Sequence, residues 1–205
     1  MGARMMAEIG HHDLLSRWLP AISTGEAIVA VGHPGNPFVT DAHVADLLLL
    51  AHDDEIHAID PGDAKLAHQP SIDPLRRLYT VEWTPSAATR VANGDSARRA
   101  LAAAYDRGAW ATAVQQIGVA EGLVDAAVKY SAQREQFGQL IGAFQALKHM
   151  LATVAVRVEF AKPVVQRAAF AIANELPERD VACSHAKAAA SEAAAMAAKA
   201  ALQVH

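Results

Sequence analysis

Phe144, Leu147, Leu151, Val154 and Val158 recur at spacings of 3, 4, 3 and 4, and only an α-helix gathers such a set on one face. The stripe predicts a long helix from about Phe144, buried along one side, with Pro163 kinking it or marking a break. The alanine distribution reinforces it. Of the 47 alanines in 205 residues, 18 lie between Leu151 and Ala200; alanine is the strongest helix former and lets helices approach closely. Residues 175–180, with Pro177 among them, separate this helix from a last alanine-rich one that runs from about Val181 to the end. An earlier helix is expected from Asp95 or Ser96, either of which can cap it, to about Tyr130. Its apolar positions include Ala100, Ala104, Trp110, Val114, Ile117 and Leu123. Three antiparallel helices of a bundle are expected over 94–205.

The composition changes before residue 94. Residues 25–93 hold most of the prolines and short β-prone runs at 27–31, 45–51, 56–59 and 79–83. Turn signals such as Gly32-His33-Pro34-Gly35 and Asp60-Pro61-Gly62-Asp63 separate them. Before these runs, Ile9, Leu14, Leu15, Trp18 and Leu19 fit one short amphipathic helix that Pro20 should stop. The expected fold is mainly α: a C-terminal antiparallel bundle (94–205) behind a reduced, irregular β segment (25–93) and a helical remnant (1–24).

Charge and composition exclude several function classes. With 18 Lys+Arg against 22 Asp+Glu the net charge is −4, so nothing electrostatic favours nucleic acid or an anionic membrane surface. The first ten residues lack a secretory apolar stretch, and the alanine-rich tract carries Lys187, Glu192 and Lys199, too polar for lipid. The lone Cys183 cannot form an internal disulfide and fits a reducing cytoplasm. A soluble, cytoplasmic protein is expected. The ten histidines show no HExxH or Cys/His ligand spacing, so no metal site is expected. Gly32-His33-Pro34-Gly35 reads as a turn rather than a phosphate loop, and Cys183 is a weak nucleophile candidate inside a helix. Arg76-Arg77 and Arg98-Arg99 read as solvated or helix-end charges.

One stretch carries more chemistry than a bundle turn needs: Tyr130-Ser-Ala-Gln-Arg134-Glu-Gln136-Phe137-Gly138-Gln-Leu-Ile141-Gly142-Ala-Phe144-Gln145-Ala-Leu-Lys148-His149-Met-Leu-Ala152. Arg134 and Phe137 lie on the same side if the preceding helix continues that far. A guanidinium suits a pyrophosphate, an aromatic ring suits an adenine face, and the amides of Gln136 and Gln145 suit a ribose or ring edge. From the residues alone, two readings fit: a nucleotide-binding corner, or a helix end with a buried Phe.

The stretch resembles the signature of the acyl-CoA dehydrogenase family, Tyr…Arg-x-(Gln/Thr)-Phe-Gly-x-x-(Ile/Leu)…Gln-x-x-Lys-x-x-Leu-Ala. The helix from Gln116 to Tyr130, the segment Trp18-Leu19-Pro20…Gly25-Glu26 and the final Leu202-Gln203-Val204-His205 are similar to other parts of that family. The resemblance spans about residues 14–205, most specifically 110–152. It implies FAD at a subunit interface, with Arg134, Gln136 and Phe137 reaching its pyrophosphate and adenine half. Phe144, Gln145 and Gln203 would contribute to the same cofactor. It also implies α,β-dehydrogenation of an acyl-CoA thioester, in which a carboxylate takes the α-proton and the β-hydride goes to the flavin.

The sequence departs from that family in three respects. About a hundred residues of N-terminal helical domain have no counterpart. The middle segment lacks the Thr-Glu-Pro…Gly-Ser-Asp and Lys-x-Trp-Ile-Thr elements expected around the flavin ring. No glutamate stands where a base is expected, near Gly108 in Tyr105-Asp106-Arg107-Gly108-Ala109; Asp106 and Arg107 are the only substrate-contact candidates there. The resemblance thus implies a subunit that completes the FAD site of a partner in a homo- or hetero-oligomer, with the base beyond His205 or on the partner. Bacterial relatives acting on steroid side chains include such base-lacking subunits. A truncated representation of an ordinary dehydrogenase is also consistent with the residues. So is a degenerate helical interaction module that keeps the fold and binds no flavin.

Overall fold

The computed structural model describes residues 1–205. Its N-terminal helix is two, not one: α1 (Gly2–Ile9) and α2 (His12–Thr24). Gly10, at φ 71°, breaks the chain between them. Pro20 lies inside α2 instead of ending it. Its ring removes only the bond to the carbonyl four residues back, while the Ser23 and Thr24 hydroxyls donate to the Pro20 carbonyl. Gly25 then closes the helix at φ 79°.

The segment after it is a β-structure of two sheets, more regular than the sequence suggests. One sheet has the order β1 (Val29–Gly32), β3 (Leu47–His52), β4 (Glu55–Ile59), β7 (Arg90–Asn93); the other is β2 (Val39–Thr40), β6 (Leu78–Glu82), β5 (Lys65–Gln69). β1 runs parallel to β3, and every other pairing is antiparallel. The run Leu47-Leu48-Leu49-Leu50 is explained by burial on both faces. Leu47 and Leu49 pack with Met5, Met6, Leu14, Ala97 and Leu101. Leu48 and Leu50 point the other way, toward Val39, Ile59, Tyr79 and Val81.

His57 sits fully buried in this unit. Its Nδ1 lies 2.9 Å from Thr89 Oγ1 and its Nε2 3.1 Å from Glu55 Oε2. Arg90 holds the other Glu55 oxygen at 2.6 Å. Burial pushes the imidazole below its usual range, against the pull of Glu55. A base with a lowered folded-state pKa binds fewer protons folded than unfolded. Stability is therefore complete above about pH 6.5 and falls as pH drops through that value. Glu55, lowered chiefly by its hydrogen bond from Arg90, acts in a more acidic window, where its protonation removes stability. Thermal melts at pH 7.5, 6.5 and 5.5 should show the first decline, and His57→Gln should flatten it; an equal slope in that variant would refute the assignment.

Backbone contacts divide the chain between Tyr105 and Asp106, partway along α3 (Gly94–Ser131). Within the second unit the rest of α3 meets α4 (Gln145–Ala173) and α5 (Arg179–Val204). Pro163 marks no break in α4. The core takes Val154, Val158, Ala161, Val165 and Ala168 from α4, spaced 4, 3, 4, 3. From α5 it takes Cys183, Ala186, Ala190, Ala193, Ala197 and Ala200, spaced 3, 4, 3, 4, 3. Five of the alanines form this second stripe, whose short side chains let two long helices approach along their length. The first stripe is only partly buried as expected. Leu151, Val154 and Val158 are buried, whereas Phe144 and Leu147 at the start of α4 are half-exposed because they border a turn and a groove. Ion pairs tie the helices outside the core: Lys162 to Glu121 (2.6 Å) and Arg179 to Asp106 (2.7 Å). No helix is long and apolar enough to cross a membrane.

Candidate functional site

α3 ends at Ser131, before Arg134, so Arg134 and Phe137 do not share a helix face. The Gln133 and Arg134 amides donate to the Tyr130 carbonyl, each at 3.0 Å, and close the helix. A two-residue hairpin comes next. β8 (Glu135–Gln136) pairs antiparallel with β9 (Gln139–Leu140). The Ile141 amide donates to the Arg134 carbonyl at 2.8 Å. The turn is Phe137-Gly138, with φ of 54° and 79°. Positive φ at both central positions is what a type I′ turn requires, and it suits Asn or Gly first, not an aromatic residue.

The consequence is a strained ring held outward. Phe137 is 93% exposed, so the buried-Phe reading of this corner does not hold. The ring meets Phe144 edge-on, with centroids 6.2 Å apart. A bulky side chain in the left-handed region costs about 1–2 kcal/mol and persists only where surroundings impose it. Gly142 fixes the base of the hairpin: a Cβ there would lie 2.9 Å from the Ser131 carbonyl oxygen, so that base closes onto the α3 terminus only with glycine. Arg134, Gln136 and Gln145 are exposed around this corner.

Gln203 is brought to the same end of the bundle by antiparallel packing, since α4 begins at Gln145 and α5 finishes at Val204. It lines a groove of about 460 Å³ with His149, Met150, Thr153, Met196 and Lys199. His149 and Lys199 were not singled out by sequence. The signal was the four-residue step from Gln145 to His149 and from Lys199 to Gln203. A separate, almost wholly apolar groove of about 610 Å³ lies between α3, the hairpin and α4, with Val124, Val128, Leu140 and Leu147 in its walls.

Asp106 and Arg107 sit elsewhere, at the opposite end of the second unit's α3 portion. Asp106 is 5% exposed, and its Oδ2 accepts from Arg179 Nε at 2.7 Å. Burial, and then the Asp106 charge, push the nearby Cys183 thiol up, which disfavours its thiolate.

Residues 97–205 match the family model described as "Acyl-CoA dehydrogenase, C-terminal domain". The chain is 39% identical over 131 residues to the acyl-CoA dehydrogenase IpdE2 of Mycolicibacterium smegmatis, covering 63% of this chain and 39% of that protein. Butyryl-CoA dehydrogenase from Megasphaera elsdenii superposes with a TM-score of 0.83 at 20% identity, over 98% of this chain and 64% of that one. The ChsE4-ChsE5 complex from Mycobacterium tuberculosis superposes with a TM-score of 0.79 at 23% identity, over 99% and 62%. The chain thus spans about two fifths of the curated relative's length and under two thirds of the solved chains. With its match to the family model across 97–205, the chain belongs to the acyl-CoA dehydrogenase family.

Proposed function

We propose that the chain is a subunit of an FAD-dependent acyl-CoA dehydrogenase that contributes the adenine and pyrophosphate side of a flavin site at a subunit interface. The observation that carries this reading is Phe137, a ring held outward at φ 54° with 93% of its surface free. The corner's residues fit the group. Phe137 offers a face for stacking on adenine, and Arg134 a planar cation for a diphosphate. Gln136, Gln145 and Gln203 offer amides for ribose and ring edges, and Phe144 backs the Phe137 ring. When bound, the flavin supplies the hydride acceptor for α,β-dehydrogenation of an acyl-CoA thioester.

The residues of this chain bind and orient; none of them is offered as the base. Near the expected position, the one carboxylate is Asp106, and it is held by Arg179. The α-proton is therefore assigned to a carboxylate outside residues 1–205 or on a partner. The two-chain complex among the solved neighbours supports the heteromeric form of this reading. Arg134→Ala tests the corner. In a flavin-loaded complex it should weaken FAD binding about tenfold, the worth of one charge-assisted hydrogen bond. Unchanged retention, or an assembled complex with no flavin absorbance, would favour an interaction module instead.

A further inference from the structure

We propose that the loop between β5 and β6 docks an acidic peptide segment of another protein, with Ile72 and Leu75 as its apolar contacts and Arg76 and Arg77 as its cations. The proposal is independent of the flavin corner, because every residue it uses lies in the first unit. Exposed apolar residues are common and single ones mean little. These two differ in degree and in company. Ile72 is fully exposed and Leu75 is 85% exposed; with Phe137 they are the three most exposed large apolar side chains of the chain. The loop is nevertheless held in shape. Gln69 of β5 pairs with Leu78 of β6 at its base, and Pro70 and Pro74 fix two φ angles. The Leu75 amide donates to Asp73 Oδ1 and the Arg76 amide to the Asp73 carbonyl, each at 3.0 Å, while the Arg77 carbonyl accepts from the Asp41 amide at 2.8 Å. A segment already ordered loses little entropy when it binds.

The charges select the partner. Arg90, Arg98, Arg167 and Arg179 each hold a carboxylate of this chain. No ion pair engages Arg76 or Arg77, and the one acid of the loop, Asp73, turns an oxygen to the Leu75 amide. Two adjacent guanidiniums beside two apolar side chains fit a segment in which carboxylates flank apolar residues. The planar forks pair with the carboxylates, and the apolar contacts exclude water around them. A second copy of this chain fits less well. With the loops facing across a twofold axis, arginine would meet arginine. Anionic lipid is disfavoured by the net charge of −4, since surface attraction of that kind needs a larger cluster of cations than two.

The test uses the whole 205-residue chain with methyl-labelled isoleucine and a short amphipathic peptide of leucine and glutamate. The peptide should shift the Ile72 methyl resonance. Its leucine–lysine counterpart, and a glutamate–glycine peptide without leucine, should not do so at the same concentration. Replacing both cations, Arg76→Gln with Arg77→Gln, should weaken binding of the acidic peptide about tenfold or more. Leu75→Ser should weaken it about tenfold, and Arg99→Gln, an exposed arginine outside the loop, should leave it unchanged. None of these variants should move the thermal melt, because the side chains are exposed. Raising ionic strength should weaken binding in the wild type and less so in the double arginine variant. An unmoved Ile72 methyl, or a lysine peptide that binds within about twofold of the acidic one, would overturn the proposal. So would self-association of the chain that Leu75→Ser abolishes, which gives the loop to a second copy. Cosedimentation with phosphatidylserine vesicles that the same variant abolishes would give it to lipid instead, and would equally overturn the proposal.

Discussion

Asp106→Ala is expected to destabilise the bundle by about 2–3 kcal/mol, measured by denaturant unfolding followed through helical circular dichroism. The magnitude comes from the environment. The Asp106 side chain is 7% exposed and its partner Arg179 is 28% exposed. Removing one member of a buried pair leaves the other charge uncompensated, at about 3–5 kcal/mol for full burial. Arg179 retains some solvent, which places the cost below that range. The pair also joins α3 to the first residue of α5, so its loss frees a helix end instead of a surface side chain. Asp106→Asn keeps the shape and an acceptor and should cost less. In a double-mutant cycle with Arg179→Met, the double variant should be more stable than the two single losses sum to. A loss under about 0.5 kcal/mol for Asp106→Ala would put the residue back among candidates for substrate contact.

The contrast between the two units explains what could be read from the sequence. Long helices announce themselves because their pattern repeats many times: the stripe through Leu151, Val154 and Val158 continues to Ala168 in the same register. Four of the seven strands of the first unit carry enough apolar residues to be visible. The other three do not. β5 is Lys-Leu-Ala-His-Gln, largely exposed; β7 is four residues against a helix start; β2 is two residues long. Their pairing is set by the partner strand, and no local pattern records it. Pro20 and Pro163 misled for a related reason. A proline removes one bond, and the surrounding turns of a packed helix keep the rest.

The candidate site was legible as residue types but not as a shape. Arg134, Phe137 and Gln145 stood out because a bundle turn has no need of them. Placing Arg134 and Phe137 on a shared helix face assumed that α3 runs past Ser131. The deciding residues were Phe137-Gly138, which sit at the centre of a two-residue hairpin. Gly138 satisfies that turn and Phe137 opposes it, so local preference and the fold disagree at one position. Such disagreements are expected at functional or strained positions.

Phe137→Asn therefore separates folding from binding. The substitution places an Asn-Gly pair at the turn, the sequence that type I′ hairpins favour most. It removes a strained aromatic conformation worth about 1–2 kcal/mol, against the loss of one edge-to-face ring contact with Phe144, worth about 0.5–1.5 kcal/mol. Little burial is lost, because the ring is already 93% exposed. Bundle stability should be unchanged or rise by up to about 1 kcal/mol. Flavin affinity in the assembled complex should nevertheless fall about 10- to 100-fold, the range that removal of one aromatic platform from under a base produces. Phe137→Tyr should keep most of that affinity, since the stacking face survives. If Phe137→Asn destabilises the bundle by about 2 kcal/mol or more, the ring is a packing residue after all. If it leaves FAD affinity intact, the outward ring serves a different ligand.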